Sequence, residues 1–277
     1  MPELPELQAL VERLNEALAG RALVGAEVLQ FSALKTVSPS PMDLEGRTLQ
    51  GVGRRGKYLI FDFGNARVLV HLSQGGRVDI EDPPKKTRPK GVVMRMSFDD
   101  VVSVLVKEFG TERKAAWWVL DAADEGPLAG LGPEPFTDEF RALVLKGTDN
   151  RQLHTFLRDQ KSVAGIGRGF ADDILHAAMI SPFTPLSKLD QQQRGLLLDS
   201  VRSVMSQAIE RERERSGGLP AKMGDRFTIH NRHGQSCPRC GDTMRRVSFN
   251  SREVTYCPTC QTDGKVLADR RLSRLLR

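Results

Sequence analysis

Two places in the sequence carry residue types whose spacing suits chemistry. Near the C-terminus, Cys237 and Cys240 in CPRC and Cys257 and Cys260 in CPTC form two C-x-x-C pairs separated by sixteen residues. Each pair offers two thiolates at the separation a tetrahedral zinc ion requires, and the spacer fits a β-hairpin. With all four positions supplied by protein, such an ion is structural and leaves no open site for a reaction. A metal-free or redox pair is the other reading of C-x-x-C. At the opposite end the chain starts MPELPE. Removal of Met1 would leave Pro2 as a secondary amine with Glu3 beside it. An α-amino group has a reference pKa of about 8, against about 10.4 for lysine, so a useful fraction is nucleophilic near neutral pH. A secondary amine condensing with an aldehyde carbon gives an iminium directly, an electron sink for breaking neighbouring bonds, and Glu3 is a carboxyl at hand for proton transfer. N-terminal prolines are frequent, and most do no chemistry.

Two further features are weaker alone. The segment DQKSVAGIGRGFADD (159–173) has Gly165, Gly167 and Gly169 just before a helical run. Backbone N–H groups at a helix N-terminus favour phosphate, and Arg168 stands in the middle of that turn. Gly-rich turns before helices are also ordinary structural punctuation. Lys57 in RRGKYLIF follows Arg54 and Arg55 at the start of a strand-like run, where a single lysine is more often surface than site.

These residues need elements to position them. Leu7, Leu10, Val11, Leu14 and Leu18 recur at helical spacing behind Pro5 and before Gly20, which predicts a first helix with one apolar stripe. From Leu23 to about Leu120 the texture is β-rich, with YLIFDF (58–63), ARVLVHL (66–72), VVMRMSF (92–98) and VVSVLV (101–106). Gly and Asp-Asp breaks separate these runs, as in a sandwich or barrel of antiparallel strands. LAGLGPEPF (128–136) reads as a linker. Beyond it, RQLHTFLRDQ, FADDILHAAMI and DQQQRGLLLDSVRSVMSQAIERERER are helical. The last places Leu197, Val201, Val204, Met205 and Ile209 inward, and its IERERER end reads as a solvated face stopped by Gly217 and Gly218. A final β-rich segment, RFTIHNR to VTYC, carries the cysteines. The order predicts an α+β multidomain fold: residues 1–127 as a first helix with a β-sandwich, 128–137 as a linker, 138–222 as a helical domain and 223–277 as a cysteine hairpin with a basic tail. Two domains joined by a linker leave a cleft for a ligand.

A chain of 277 residues with 39% hydrophobic and 27% charged residues has the make-up of a soluble globular protein, long enough for two domains. No apolar run approaches the roughly 18 residues that span a membrane. Glu3, Glu6, Glu12 and Glu16 are unlike a signal or transit peptide, so the expected location is the cytoplasm. The net charge of +6 suggests a polyanionic partner, and from Arg239 onward the basic residues far outnumber Asp242, Glu253, Asp263 and Asp269.

MPELPE, the Gly-Lys before a strand, the DQ…AGIG…AD segment and the CxxCG…YCPxCQ hairpin occur in that order along essentially the whole chain, with LGPEPF between. Together they resemble the formamidopyrimidine-DNA glycosylase (Fpg, MutM) and endonuclease VIII (Nei) family, and the leucine in MPELPE is closer to the Fpg branch. The resemblance implies a bifunctional DNA glycosylase and abasic-site lyase acting on damaged double-stranded DNA. Pro2 would attack deoxyribose C1′ of a flipped nucleotide, Glu3 would assist protonation at the sugar, Glu6 would support that site and Lys57 would contact phosphate. The Gly-rich turn would be a helix–two-turn–helix element. One structural zinc on Cys237, Cys240, Cys257 and Cys260 would set Arg252 of the hairpin on the DNA backbone. The implied protein is a monomer associated with the nucleoid, with no membrane partner.

The chain departs from the family pattern where bases are recognised. The usual G-N-I-Y turn is Gly167-Arg168-Gly169-Phe170, which keeps a phosphate contact through Arg168 with altered geometry. The hairpin tip, usually Gly-Arg, is Ser251-Arg252. HLGMSG becomes HLSQGG, so Gln74 replaces the methionine that fills the gap left by the flipped base. DPRRFG is weakened to TERKAA, with Arg113 retained and Ala115 in place of the phenylalanine. The stretch between Gly218 and Ile229 is short where Fpg closes a loop over 8-oxoguanine. Oxidised pyrimidines, ring-opened purines and abasic sites alone therefore all stay open as substrates. A non-catalytic lesion- or DNA-binding protein is the alternative, and a zinc-ribbon protein acting on RNA a third. The tail QTDGKVLADRRLSRLLR is expected as a short amphipathic helix.

Overall fold

The protein's structure, a computed structural model, describes residues 1–99, 101–110, 112–249 and 252–267, with the side chains of Phe249 and Arg252 left aside. The tip residue Ser251 and most of the tail expected as a helix lie outside the described residues. The chain forms two compact units, one of residues 1–130 with 208–224, the other of residues 131–207 with 225 onward. Among the described residues no helix is long and apolar enough to cross a membrane.

The first unit begins with α1 (Leu4–Leu18), started by a capping box in which Glu3 and Glu6 satisfy each other's backbone N–H, with Pro5 in the first turn. Its stripe Leu7, Leu10, Val11, Leu14 and Leu18 is buried, and Gly20 ends the run at φ +81°. Eight strands follow: β1 (Leu23–Val28), β2 (Gly51–Arg55), β3 (Tyr58–Asp62), β4 (Ala66–His71), β5 (Gly76–Glu81), β6 (Val92–Phe98), β7 (Val102–Glu108) and β8 (Ala116–Asp121). They make two four-stranded antiparallel sheets in the orders β1-β6-β7-β5 and β2-β3-β4-β8. Phe61, Val68, Val70, Met94, Met96, Val104 and Val106 share a core with the stripe of α1. The expected sandwich is the observed one. Asn15 fastens α1 to β2 by accepting from Val52 N (2.7 Å) and donating to Val52 O, as a neighbouring strand would.

The second unit is helical before its hairpin. It holds α2 (Asp138–Lys146) with Thr137 accepting from Phe140 N as its cap, α3 (Leu153–Arg158), α4 (Arg168–Ala177) and the start of α5 (Gln191–Arg213). After these come β9 (Arg245–Phe249), β10 (Arg252–Tyr256) and the short α6 (Pro258–Gln261). Leu197, Val201 and Met205 of α5 are fully buried, whereas Val204 is half-buried.

Two expectations are corrected. The IERERER end of α5 is a solvated face only in part: Glu210, Arg211, Arg213 and Glu214 are exposed, but the segment also packs on the first helix. From Ala208 it belongs to the first unit, where Arg213 forks onto Glu12 of α1 (2.8 and 2.6 Å) and Arg13 donates to Glu212 O (3.0 Å) and Gly217 O (2.6 Å). Glu212 is buried beside Arg215 (3.1 Å). Alternating charge here is a docking seam, since a buried carboxylate is tolerated only with a cation beside it. The second correction is RFTIHNR, which is not a strand. Asp173 of α4 accepts from Thr228 N (2.7 Å), Ile229 N (2.8 Å) and His230 N (3.3 Å), so these amides are taken by a carboxylate rather than by a ladder. Asn231 then turns the chain at φ +63°.

Candidate active site and nucleic-acid interface

Strand register brings the sequence-predicted residues of the first unit to one end of the sandwich. Tyr58 pairs with His71 and His71 with Ala116, while Gly76 pairs with Glu108 in the other sheet. The β2–β3 turn with Lys57, the β4–β5 turn with Gln74 and the β7–β8 loop with Arg113 therefore leave the same end. Asn15 bonds to Val52 and Gln8 accepts from Arg54 Nε (2.9 Å), so α1 runs antiparallel to β2. Its first turn, with Pro2, Glu3 and Glu6, consequently points toward the Lys57 turn.

Glu3 N donates to Glu6 Oε2 at 2.7 Å, with Glu6 wholly buried and Glu3 4% exposed. The peptide joining Pro2 to Glu3 is thus fixed by a carboxylate three residues on, while Met1 is exposed. Lys57 is buried, against the expectation that a lone lysine there is surface. His71 stacks on Tyr58 (ring centroids 4.8 Å), and burial, followed by the Lys57 charge, lowers its pKa to about 4. At neutral pH His71 is a neutral neighbour of a cation, a relationship the sequence did not signal.

Gln74 is exposed at the tip of its turn, between Ser73 at φ +53° and Gly75. A Cβ on Gly75 would lie 1.9 Å from Phe109 O, and one on Gly76 would lie 2.1 Å from Leu72 O, so only glycine allows this approach. Arg77 Nη1 reaches back to Gln74 O (3.3 Å), and its Nε donates to Ala221 O (3.3 Å). Leu219 N donates to Val78 O (2.6 Å), so the segment after Gly218 lies along β5. Arg113 is exposed. Ala115 is buried at 3% and gives its N–H to Glu108 Oε1 (3.0 Å), so it is a core position and does not stand where an intercalating side chain would.

In the second unit the Gly-rich turn is held from inside. Gln160 Nε2 donates to Ile166 O (2.7 Å) and its Oε1 accepts from Gly165 N (2.9 Å), with Gly165 at φ +97°. Arg168 is exposed as the first residue of α4. A Cβ on Gly169 would sit 2.2 Å from the Phe227 ring, and Arg226 lies 4.6 Å over that ring. Arg226 is thus a second cation near the turn, brought there by the fold from a segment more than fifty residues along the chain. Burial pushes the Asp173 carboxyl up to about 6, opposed by its three backbone donors.

Arg252 opens β10 opposite Phe249. The four cysteine sulfurs lie within 4.8 Å of one another, with Cys240–Cys257 at 3.5 Å and Cys237–Cys260 at 3.9 Å. A tetrahedron of ~2.3 Å zinc–sulfur bonds has edges of about 3.8 Å, so the donor set fits a structural zinc. Burial, and after it the adjoining sulfurs, push the Cys257 thiol up to about 11, an opposition that a dication removes. His176 Nε2 shares a hydrogen bond with Cys237 Sγ (3.2 Å), and Arg239 donates to His176 O and Ala177 O (both 3.2 Å). Part of the C-terminal basic excess is therefore spent on capping α4.

Comparison with known proteins gives this geometry its context. Residues 1–111 match the formamidopyrimidine-DNA glycosylase N-terminal domain, 131–217 the formamidopyrimidine-DNA glycosylase H2TH domain, and 234–262 a zinc finger found in FPG and IleRS. The formamidopyrimidine-DNA glycosylase of Roseiflexus sp. is 33% identical over 280 residues, covering 94% of this chain and all of the relative. The chain belongs to the formamidopyrimidine-DNA glycosylase family. A second relative in Fpg's family, an uncharacterized formamidopyrimidine-DNA glycosylase-like protein of Mycobacterium tuberculosis, is 43% identical over 151 residues, covering 53% of this chain and 94% of its own. Among solved Fpg structures, the Lactococcus lactis enzyme non-covalently bound to abasic-site DNA superposes with a TM-score of 0.81 at 25% identity, covering 94% of this chain and 99% of that one. The same enzyme with N7-benzyl-Fapy-dG DNA gives 0.81 at 27% identity, covering 94% and 100%.

Proposed function

We propose that this Fpg-family protein is a bifunctional DNA glycosylase and abasic-site lyase that acts as a monomer on a damaged nucleotide turned out of double-stranded DNA. The observation that carries the reading is the gathering of the Pro2–Glu3–Glu6 turn with the Lys57, Gln74 and Arg113 turns at one end of one sandwich. The DNA-bound Lactococcus lactis neighbours support it.

With Met1 removed, the Pro2 nitrogen attacks C1′. The bond from C1′ to the base breaks, and the base leaves with the electron pair and gains a proton. Glu3 protonates the ring oxygen as the sugar opens, leaving an iminium between Pro2 and C1′. The iminium acidifies the C2′ proton, whose loss expels the 3′ phosphate, and a second elimination expels the 5′ phosphate. Glu6 holds the Glu3 backbone in place throughout. Lys57, Arg168 and Arg252 take flanking phosphates, which position the duplex without reading it. One zinc ion on the four cysteines stiffens the hairpin and takes no part in the reaction.

The test is strand cleavage across a panel of defined lesions, with borohydride trapping read alongside. The wild-type protein traps a covalent DNA adduct, and Pro2→Gly or an uncleaved N-terminal tag abolishes it. Equal trapping by these variants removes Pro2 as nucleophile. Tight lesion binding with neither cleavage nor adduct overturns the enzyme reading in favour of the non-catalytic one.

A further inference from the structure

The three turns at the site end of the sandwich include one side chain that the departures from the family pattern did not lead to. Phe109, directly after β7, is 43% exposed, whereas Phe61, Phe63 and Phe98 of the same unit are buried. Its backbone lies on the Gln74 turn: Phe109 N donates to Gly75 O at 2.9 Å, and Phe109 O occupies the place of a Gly75 side chain. Phe109 and Gln74 are therefore neighbours at the tip, and Gly110 turns the chain away at φ +99°.

The loop that follows is closed from beneath. Glu108, 6% exposed, accepts from Lys114 N (2.8 Å) and Ala115 N (3.0 Å) through one oxygen, tying the far end of the loop back to its start. This tie buries Ala115 and leaves Phe109 outside. Lys107 Nζ lies 5.7 Å from the Phe109 ring centroid, a resting contact for a ring that is only partly covered. An aromatic ring left partly exposed at the end of a unit proposed to bind DNA has a use that full burial would forfeit: its flat face can take the place of a base.

We propose that Phe109 is the side chain that stacks into the space left in the duplex when the damaged nucleotide turns out, with Gln74 beside it as the polar half of the wedge. The proposal rests on the reading that this protein acts on flipped nucleotides in duplex DNA. It relocates the aromatic contact from Ala115 to the opposite end of the β7–β8 loop. A ring has to fill a gap only where there is a stack, so the effect of losing it depends on the substrate.

The test compares borohydride trapping on an abasic site in duplex DNA with trapping on the same strand alone. Phe109→Ala should lower the duplex-to-single-strand ratio at least tenfold, and Phe109→Tyr should restore most of it. Phe31→Ala, which removes an aromatic 86% exposed and not bonded to the Gln74 turn, should leave the ratio as in the wild type. An unchanged ratio in Phe109→Ala, or an equal loss on both substrates, overturns the wedge. A wild-type protein that traps on neither substrate defeats the lyase reading instead, and a binding measurement then decides. Phe109→Trp should show fluorescence quenching on duplex carrying a tetrahydrofuran abasic analogue beyond that on undamaged duplex, above the change seen from Trp117 and Trp118 in the wild type. No such excess overturns the proposal whatever the activity.

Discussion

The Phe227 ring fills the space that a side chain on Gly169 would need, at 2.2 Å from where its Cβ would stand. Phe227 also packs edge-on against Phe170 and His230 (centroids 5.1 and 4.9 Å). The glycine in GRGF is thus one half of a pair whose other half lies in a distant segment. The altered turn is a repacked one, with Arg226 over the packed ring and Arg168 exposed at the start of α4.

Gly169→Ala should therefore destabilise the second unit by about 1–3 kcal/mol, the usual cost of overpacking. In a Phe227→Ala background the same substitution should cost close to nothing, because the obstructing ring is gone. Chemical denaturation of the four proteins of the cycle measures the coupling. Additive effects would show that Gly169 is required for some reason other than the ring.

Glu3→Gln should separate the two halves of the proposed reaction. A carboxamide cannot supply the proton that opens the sugar, so base removal should fall by at least ~100-fold, a typical share for general acid catalysis. Cleavage at a preformed abasic site, whose aldehyde needs less help, should keep a measurable rate. Single-turnover kinetics on both substrates decide it, and equal activity on a damaged base would remove Glu3 from proton transfer.

The sandwich was legible because its signal is local. Leu7 to Leu18 repeats at helical spacing, and the runs 58–63, 66–72, 92–98 and 101–106 alternate or saturate with β-branched residues, as buried strands do. The four cysteines were legible because two short spacings define a donor set. What escaped was decided by partners far along the chain. RFTIHNR has the composition of a strand, but Asp173, more than fifty residues earlier, takes its amides. IERERER has the pattern of a solvated helix face, but Glu12 and Arg13 meet it from the first helix. Lys57 reads as surface until the register sets it beside His71, and nothing local marks Phe109 as exposed rather than core.

His71 gives the first unit a predictable acid response. Its folded pKa of about 4 lies below the ordinary value of 6.5, so the folded form holds it neutral. Above pH 6.5 both folded and unfolded forms are neutral there, and its contribution is fully present. As pH falls from 6.5 toward 4 the unfolded chain takes a proton that the folded one refuses, and stability drops, by at most on the order of 3 kcal/mol. His71→Gln should flatten that part of the melting-temperature profile. A profile as steep as that of the wild type would assign the acid sensitivity elsewhere.

Zinc removal should reach beyond the hairpin, because the first cysteine knuckle also finishes α4. Arg239 caps the carbonyls of His176 and Ala177, and Cys237 holds His176 through its sulfur. Without the ion the four sulfurs have no reason to stay within 4.8 Å of one another, and both ties are lost together. A chelator should therefore abolish DNA binding and raise amide exchange in the last turn of α4 as well as in β9 and β10. Exchange in the sandwich strands β3 and β4, which belong to the other compact unit, should stay as it was. Retained DNA affinity after metal analysis shows the zinc gone would mean that the hairpin does not need its ion to grip phosphate. Unchanged exchange in α4 would mean that Arg239 caps the helix on its own.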